Sequence, residues 1–138
     1  MAFLSSGLPD NVADDEFLAR FLVKSNDFSS FAVKPAAFLP NPRDRETSVS
    51  RHGREPSAGL WLLGEAAAKD RTLYGAAILS AADVRNVMLD VTADEPPDRH
   101  AVITGWPWRP EDPESQKAKQ KELAILLASA AGTPHLRP

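Results

Sequence analysis

Twelve prolines, nearly twice the usual share of about 5%, are the feature that most constrains this chain of 138 residues. They cluster at residues 35–42, 96–97, 107–113 and 134–138. Each proline fixes its own φ angle and removes a backbone hydrogen-bond donor, so the clusters interrupt regular structure. They therefore divide the chain into short elements joined by stiff loops. Apolar residues between the clusters favour a folded domain over a disordered tail.

The composition limits the chain to one domain of ordinary size. Apolar residues make up 43% and charged residues 25%, which is typical of a chain with a hydrophobic core and a solvated surface. The net charge of -3 argues against a general polyanion-binding surface. The absence of cysteine excludes disulfides, thiolate metal sites, iron–sulfur clusters and cysteine nucleophiles.

The sequence also lacks the common targeting and cofactor motifs. No apolar run has membrane-spanning length, and the start, MAFLSSGLPDN, lacks the basic and long apolar regions of a signal peptide. The motifs GxGxxG, GxxxxGK[ST], HExxH and GxSxG are missing as well. We therefore expect a cytoplasmic protein with no membrane association, no cofactor and no metal.

The mixture of short helical and extended patterns predicts an α+β fold, with a small, mostly antiparallel sheet flanked by helices. We expect an irregular N-terminal arm over residues 1–11, one domain over 12–132 and a frayed tail over 133–138. A C-terminal amphipathic helix is expected to complete the domain.

In the first half of the chain, the pattern predicts four elements. A cap at Asp10 or Asn11 and the apolar stripe FLxxFL predict a helix over 12–23. Residues 33–40 are predicted to be extended, because Pro35 restricts its neighbour. A short strand is predicted over 46–51 and a helix over 58–69.

In the second half, local capping signals are stronger. A strand is predicted over 73–79, and Ser80 with Asp83 forms the pattern of a capping box, which predicts a helix over 81–86. Strands are predicted over 87–92 and 101–104. Asp112 as N-cap, followed by Pro113, predicts the start of the last helix, and Gly132 its end. The polar first half of this helix is expected to project into solvent or contact a partner, and its apolar second half to pack on the domain.

Residues 41–55 form the first candidate site. Their arginines are candidate anion ligands, because a guanidinium binds phosphate or carboxylate through two parallel hydrogen bonds. The nearby His52 could move a proton in acid–base chemistry. The candidate anion-binding residues of this segment are Arg43, Arg45, Arg51 and Arg54. The alternative is a solvated edge strand whose charges pair with one another.

Residues 94–108 form the second candidate site. A stiff Pro-Pro turn is expected to present Arg99, a further anion-binding candidate, and His100 at the start of a strand. Trp106 and Trp108 follow and could stack on a planar ligand. The alternative is that a tryptophan fixes the last helix on the sheet.

Both segments place an arginine next to a histidine. If the two strands are neighbours, His52 and His100 become candidate catalytic residues for acid–base chemistry on a phosphodiester, with arginines around them. The lysines at 117, 119 and 121 form a charge run that is typical of a solvated helix face.

Three stretches carry a resemblance: KPAAFLPNPRDRETSVSRHGRE (34–55), LYGAAILSAADVR (73–85) and EPPDRHAVITGWPW (95–108). Together they resemble a group of small bacterial proteins of no established activity that is associated with mobile or defence-type gene neighbourhoods. The resemblance implies a location in the bacterial cytoplasm and work alongside other proteins. It implies no role for any individual residue.

Two functions follow as hypotheses. The first is a non-catalytic binding or adaptor subunit. Its protein partner is expected to contact the projecting start of the last helix and residues of the types that are enriched at interfaces. The candidate interface residues are Trp106, Trp108, Arg109, Lys117 and Lys121. The alternative is a metal-independent enzyme that acts on RNA or a nucleotide, with His52 and His100 as acid and base and Arg51 and Arg99 as phosphate ligands.

Overall fold

The structure is a computed structural model that describes residues 2–52 and 59–138. The described residues form six strands, three α-helices and two short 3-10 helices. The strands are β1 (Phe17–Leu22), β2 (Thr47–Arg51), β3 (Gly75–Ser80), β4 (Asp90–Ala93), β5 (His100–Thr104) and β6 (His135–Leu136). The α-helices are α1 (Leu60–Ala68), α2 (Ala81–Asn86) and α3 (Pro113–Ala131), and the 3-10 helices are Ser25–Asp27 and Pro35–Phe38. We call the second 3-10 helix the proline turn.

The strands form one antiparallel sheet in the order β4-β5-β2-β1-β3-β6. The predicted α+β fold is therefore confirmed. Successive side chains of a strand point to opposite faces of the sheet. The main core covers one face, which we call the core face, and includes residues of α2, α3 and the proline turn. Helix α1 packs on part of the opposite face, which we call the α1 face.

The helix predicted over residues 12–23 is wrong, because Phe17–Leu22 forms strand β1 in the interior of the sheet. Leu18 and Leu22 belong to the main core, whereas Phe17 and Phe21 pack in the cluster on the α1 face. A strand covered on both faces is apolar on both. The resulting sequence, FLARFL, satisfies the helical spacing of apolar residues equally well.

Two other segments differ from expectation at chain turns and edges. Residues 35–38, predicted to be extended, form the proline turn, with proline at its start. Residues 135–136, placed in a tail expected to fray, form β6 on the edge of the sheet. Gly75 permits this close pairing, because a Cβ at that position would lie 2.4 Å from the His135 carbonyl oxygen.

The capping signals at Ser80 and Asp112 predict their helices correctly, whereas the cap expected at Asp10 or Asn11 begins no helix. Helix α2 begins at a complete capping box, in which Ser80 Oγ accepts from the Asp83 amide and the Asp83 carboxylate accepts from the Ser80 amide. Asp112 caps α3 by accepting from the Ser115 amide. The buried residues of α3 all lie in its second half, as expected: Ala124, Leu127 and Ala128. None of the helices in the described ranges has the length and hydropathy that a bilayer crossing requires.

Candidate functional site

The two Arg-His pairs lie on neighbouring strands. Strand β2 pairs directly with β5, with Ser50 opposite His100. The ladder continues past this pair, since the Arg51 amide donates to the Arg99 carbonyl at 2.7 Å. The condition that the sequence left open, that the two strands are adjacent, is therefore met.

Arg51, however, lies on the core face and binds an internal carboxylate. Its side chain is fully buried, and its Nε and Nη2 each donate to Glu16 at 2.8 Å. Its Nη1 donates to the Pro9 carbonyl at 2.8 Å. Because adjacent residues of a strand point to opposite faces, His52 lies on the other side of the sheet. Arg51 therefore offers no surface to a ligand, and the expected joint site of Arg51 and His52 does not form.

His52 and His100 share the α1 face of the sheet, opposite to Arg51. The His52 amide donates to the Phe17 carbonyl, and its buried ring stacks on the Phe17 ring with centroids 6.1 Å apart. His100 lies opposite Ser50, two residues earlier on β2, so the two histidines are diagonal neighbours. His100 Nδ1 lies 3.0 Å from the Asp94 carbonyl oxygen and 3.1 Å from its carboxylate. An imidazole held through Nδ1 leaves Nε2 to exchange a proton.

Carboxylates as well as arginines lie near His100, among them those of Asp94 and Glu46. Arg99, which has a φ of 68°, directs Nη1 to the Arg51 carbonyl at 3.3 Å. The pKa of Glu46 is raised above its ordinary value, first by burial and then by the nearby carboxylates of Asp44 and Asp94. Arg54, the last of the predicted anion ligands on this segment, lies outside the described residues. Among the described residues, Arg51 is bound to Glu16 and Arg99 to the Arg51 carbonyl, so these two arginines do not form an anion site around the histidines.

The two tryptophans of the second candidate segment have different surroundings. Trp106 is only 6% exposed and packs in the main core with residues of α3. Gly105, at a φ of 89°, turns the chain between β5 and this indole. This burial favours the alternative for Trp106, a tryptophan that fixes the last helix on the sheet, over a contact with a partner. Trp108 is half-buried, and the Arg45 guanidinium carbon lies 4.0 Å from the centre of its ring.

Helix α3 fixes the backbone on both sides of Trp108. Gln120 Nε2 donates to the Pro107 carbonyl at 2.9 Å, and the Arg109 amide donates to Gln116 Oε1. The two glutamines are one helical turn apart and so lie on the same face of α3. In the sequence they belong to a polar stretch, and nothing local distinguishes a solvated glutamine from one that binds the backbone of a distant loop.

A groove of about 650 Å³ lies between the proline-rich segment and α3. It includes three of the five predicted interface residues: Trp108, Lys117 and Lys121. Arg109 is exposed beside it but does not line it. We call this cavity the Trp108 groove, and its lining residues are Lys34, Pro35, Ala36, Leu39, Pro40, Asn41, Pro42, Trp108, Gln116, Lys117, Gln120 and Lys121.

The sheet fixes the other wall of the Trp108 groove. From β1, Arg20 Nε donates to the Ala37 carbonyl at 2.7 Å. From β2, Thr47 Oγ1 donates to the Phe38 carbonyl at 2.8 Å. Burial lowers the pKa of Arg20 below its ordinary value, while the Asp27 carboxylate acts in the opposite direction. The last two carbonyls of the proline turn thus accept hydrogen bonds from side chains of two neighbouring strands, β1 and β2.

The Trp108 groove is positively charged and apolar. Its described lining includes Lys34, Lys117 and Lys121 but no carboxylate. Arg45, which covers the Trp108 ring, and Arg43 are exposed on the adjoining turn. The turn is held by the Asn41 side chain, which accepts from the Arg43 amide at 2.8 Å. A ligand with negative charge and an apolar surface fits this lining best.

Within residues 2–52 and 59–138, no group of three or more histidine, aspartate or glutamate side chains is arranged to hold a metal ion. Comparisons with protein-family models, with curated proteins and with solved structures returned no match to this chain.

Proposed function

We propose that this protein is a binding subunit of a bacterial multi-protein system in the cytoplasm, and that it docks a partner protein in the Trp108 groove. The observation that carries the proposal is the convergence of Trp108, Lys117 and Lys121 on one groove. These three residues, within 108–121, line the groove opposite residues 34–42, and each was expected at an interface. The resemblance to proteins of mobile or defence-type gene neighbourhoods supports a role beside other proteins.

The fixed walls of the groove support this proposal. Gln116 and Gln120 hold the loop that carries Trp108, and Arg20 and Thr47 hold the proline turn. A partner that binds a preorganised surface avoids the entropy cost of ordering it. An indole in such a position is the kind of anchor that dominates binding energy at protein interfaces.

The test is purification of the tagged protein from its own host, followed by native mass spectrometry. We expect a stoichiometric protein partner with the wild type. Lys117→Glu combined with Lys121→Glu should remove the partner, because the substitution reverses the charge of the groove. Lys119→Glu is the matched control, since Lys119 is an exposed lysine of the same helix that does not line the groove. A bare monomer, or a partner retained equally by all variants, would contradict the proposal.

A second candidate function is metal-independent catalysis on RNA or a nucleotide. The observation that favours it is the shared face of His52 and His100 on paired strands, with His100 oriented by Asp94. One imidazole would then accept a proton and the other donate it. Arg51 does not contribute, because it is bound to Glu16.

Incubation of the purified protein with labelled RNA tests this candidate. His100→Ala is the decisive variant, because His100 is partly exposed and its replacement should leave the circular dichroism spectrum unchanged. Under this hypothesis cleavage falls by about a hundredfold or more, the range expected for loss of a general acid or base. His135→Ala, on the exposed β6, is the control and should retain activity. Equal rates for both variants, or no cleavage by the wild type, would eliminate the enzyme hypothesis.

A further inference from the structure

A second depression of about 410 Å³ lies along the same helix, beside the Trp108 groove. Pro35 lines both depressions. The second is bordered by Phe31, Ala32 and Val33 on one side and by the last turns of α3 on the other, with Ile125, Ala128, Ser129, Gly132 and Thr133. We call the two depressions together the α3 channel.

The α3 channel follows one row of side chains along the helix. Lys117, Lys121, Ile125 and Ser129 are four residues apart in sequence and all line it. Neighbours at this spacing are in contact range, and the row they form runs obliquely along the helix, at about 26° to its axis. From Gln116 to Gly132 the helix rises about 24 Å, at 1.5 Å per residue. An extended peptide of about seven residues has the same length.

The two halves of the α3 channel differ in charge. The half that contains Trp108 carries three lysines and no carboxylate among its described lining residues. The half that contains Phe31 has no charged residue among those that line it. Phe31 is 85% exposed and Ile125 is 46% exposed, so both side chains are open to a ligand. Charge and apolar surface are therefore separated along the channel.

We propose that the α3 channel binds an extended segment of about seven residues from the partner protein. The segment is acidic where it passes Lys117 and Lys121 and apolar where it passes Phe31 and Ile125. This inference rests on the proposed function and specifies the chemistry of the partner. Opposite charges select the segment and set its direction, while apolar side chains bury the exposed surface at the other end.

A single-stranded nucleic acid fits the channel less well. Its phosphates repeat along the whole strand and are bound by a groove that is positive throughout. The described lining of the Phe31 half includes no cation for such phosphates. The Trp108 groove is also lined by Pro35, Leu39, Pro40 and Pro42. Their rings and aliphatic chains suit an apolar or proline side chain of an extended peptide.

The test is selection of binders from a random dodecapeptide library displayed on phage, with the wild-type protein as bait. We expect the enriched peptides to share an acidic cluster followed or preceded by apolar residues in one fixed order. The strongest peptide is then measured by fluorescence anisotropy. Its affinity should fall by about tenfold or more when Lys117→Glu and Lys121→Glu are combined, and should weaken with added salt. Lys119→Glu should change the affinity less than about twofold.

A matched pair of substitutions tests the apolar half. Ile125 and Leu126 are neighbours on α3 and nearly equally exposed, at 46% and 49%, but only Ile125 lines the channel. Ile125→Ala should reduce affinity for the selected peptide by about fivefold or more, the loss expected when a buried side chain loses several methyl or methylene groups. Leu126→Ala should leave it unchanged. Phe31→Ala should resemble Ile125→Ala, without loss of stability.

Four outcomes would overturn the inference. Enriched peptides that are neutral or basic, or no enrichment that depends on the channel, would exclude an acidic segment. Tighter binding of an oligouridylate probe, lost in the Lys117→Glu and Lys121→Glu variant, would identify a nucleic-acid site. Self-association that is lost in Phe31→Ala would identify a second copy of this chain. The host purification distinguishes these failures from failure of the proposed function, because it detects groove-dependent partner binding whatever the partner's composition.

Discussion

At the scale of single residues, two consecutive hydroxyls of β2 have opposite environments. Thr47 is buried and donates to the Phe38 carbonyl at 2.8 Å, whereas Ser48 is exposed on the other face. Thr47→Val keeps the shape of the side chain and leaves that carbonyl without its donor. We expect the free energy of unfolding to fall by about 1–2 kcal/mol, the cost of a buried unsatisfied acceptor. Urea denaturation followed by circular dichroism measures it.

Ser48→Ala is the control for Thr47→Val, because it removes a hydroxyl from the adjacent, exposed position. Its effect should stay within about 0.5 kcal/mol. Equal destabilisation by the two variants would show that the hydrogen bond from Thr47 does not hold the proline turn. A normal stability of Thr47→Val would contradict the same point.

Residue identity alone does not separate the two tryptophans of the sequence WPW. Both are large, amphipathic and adjacent to prolines, so the sequence supports a core role and an interface role for each. The difference arises from contacts made far along the chain. Trp106 packs against α3 in the main core, while Gln116 and Gln120 hold the flanking backbone so that Trp108 lines the groove. Of the candidate interface, Trp108, Lys117 and Lys121 could be predicted; the proline turn opposite them could not.

At the scale of elements, local signals predict helices well and misassign the central strand. The capping box at Ser80 and the Asp112 N-cap lie within four residues of the groups they bind, so α2 and α3 are readable from sequence. For strand β1, the cap expected at Asp10 or Asn11 supports the wrong element, a helix. The apolar residues of β1 face both sides of the sheet, so their spacing also fits a helix. The segment becomes a strand because it pairs with β2 and β3, which are distant in sequence.

Strand alternation also corrects the interpretation of the Arg-His pairs. Adjacency in sequence suggested one site with arginine and histidine together. In a strand, adjacent residues point to opposite faces, and Arg51 therefore reaches Glu16 on the core face while His52 stacks on Phe17. The strand predicted over 46–51 ends before His52, so the sequence does not predict this separation. Nor does it predict the pairing of β2 with β5, because that pairing depends on which distant strand completes the sheet.

At the scale of the whole molecule, the Arg51 side chain connects the N-terminal segment to the sheet. It binds Glu16 through two nitrogens and the Pro9 and Asn11 carbonyls through its terminal nitrogens. Glu16 in turn accepts from the Ala13 amide at 2.7 Å. The irregular segment before β1 is thus joined to the second strand by a buried charge pair. We expect it to unfold together with the sheet rather than independently.

Glu16→Gln tests this connection. The substitution preserves the size of the side chain but leaves the guanidinium of Arg51 buried without its counter-charge. Removal of one partner from a buried ion pair costs about 3–5 kcal/mol, a large part of the roughly 5–15 kcal/mol that stabilises a typical domain. Chemical denaturation should show this loss, and hydrogen exchange should show protection falling together in residues 2–16 and in the sheet.

The control is Glu65→Gln, which removes an ion pair with Arg137 whose side chains are both nearly half exposed. Because water screens that pair, its loss should cost less than about 1 kcal/mol. If Glu16→Gln is as mild as Glu65→Gln, or if the N-terminal segment loses protection alone, then Arg51 does not couple this segment to the folding of the sheet.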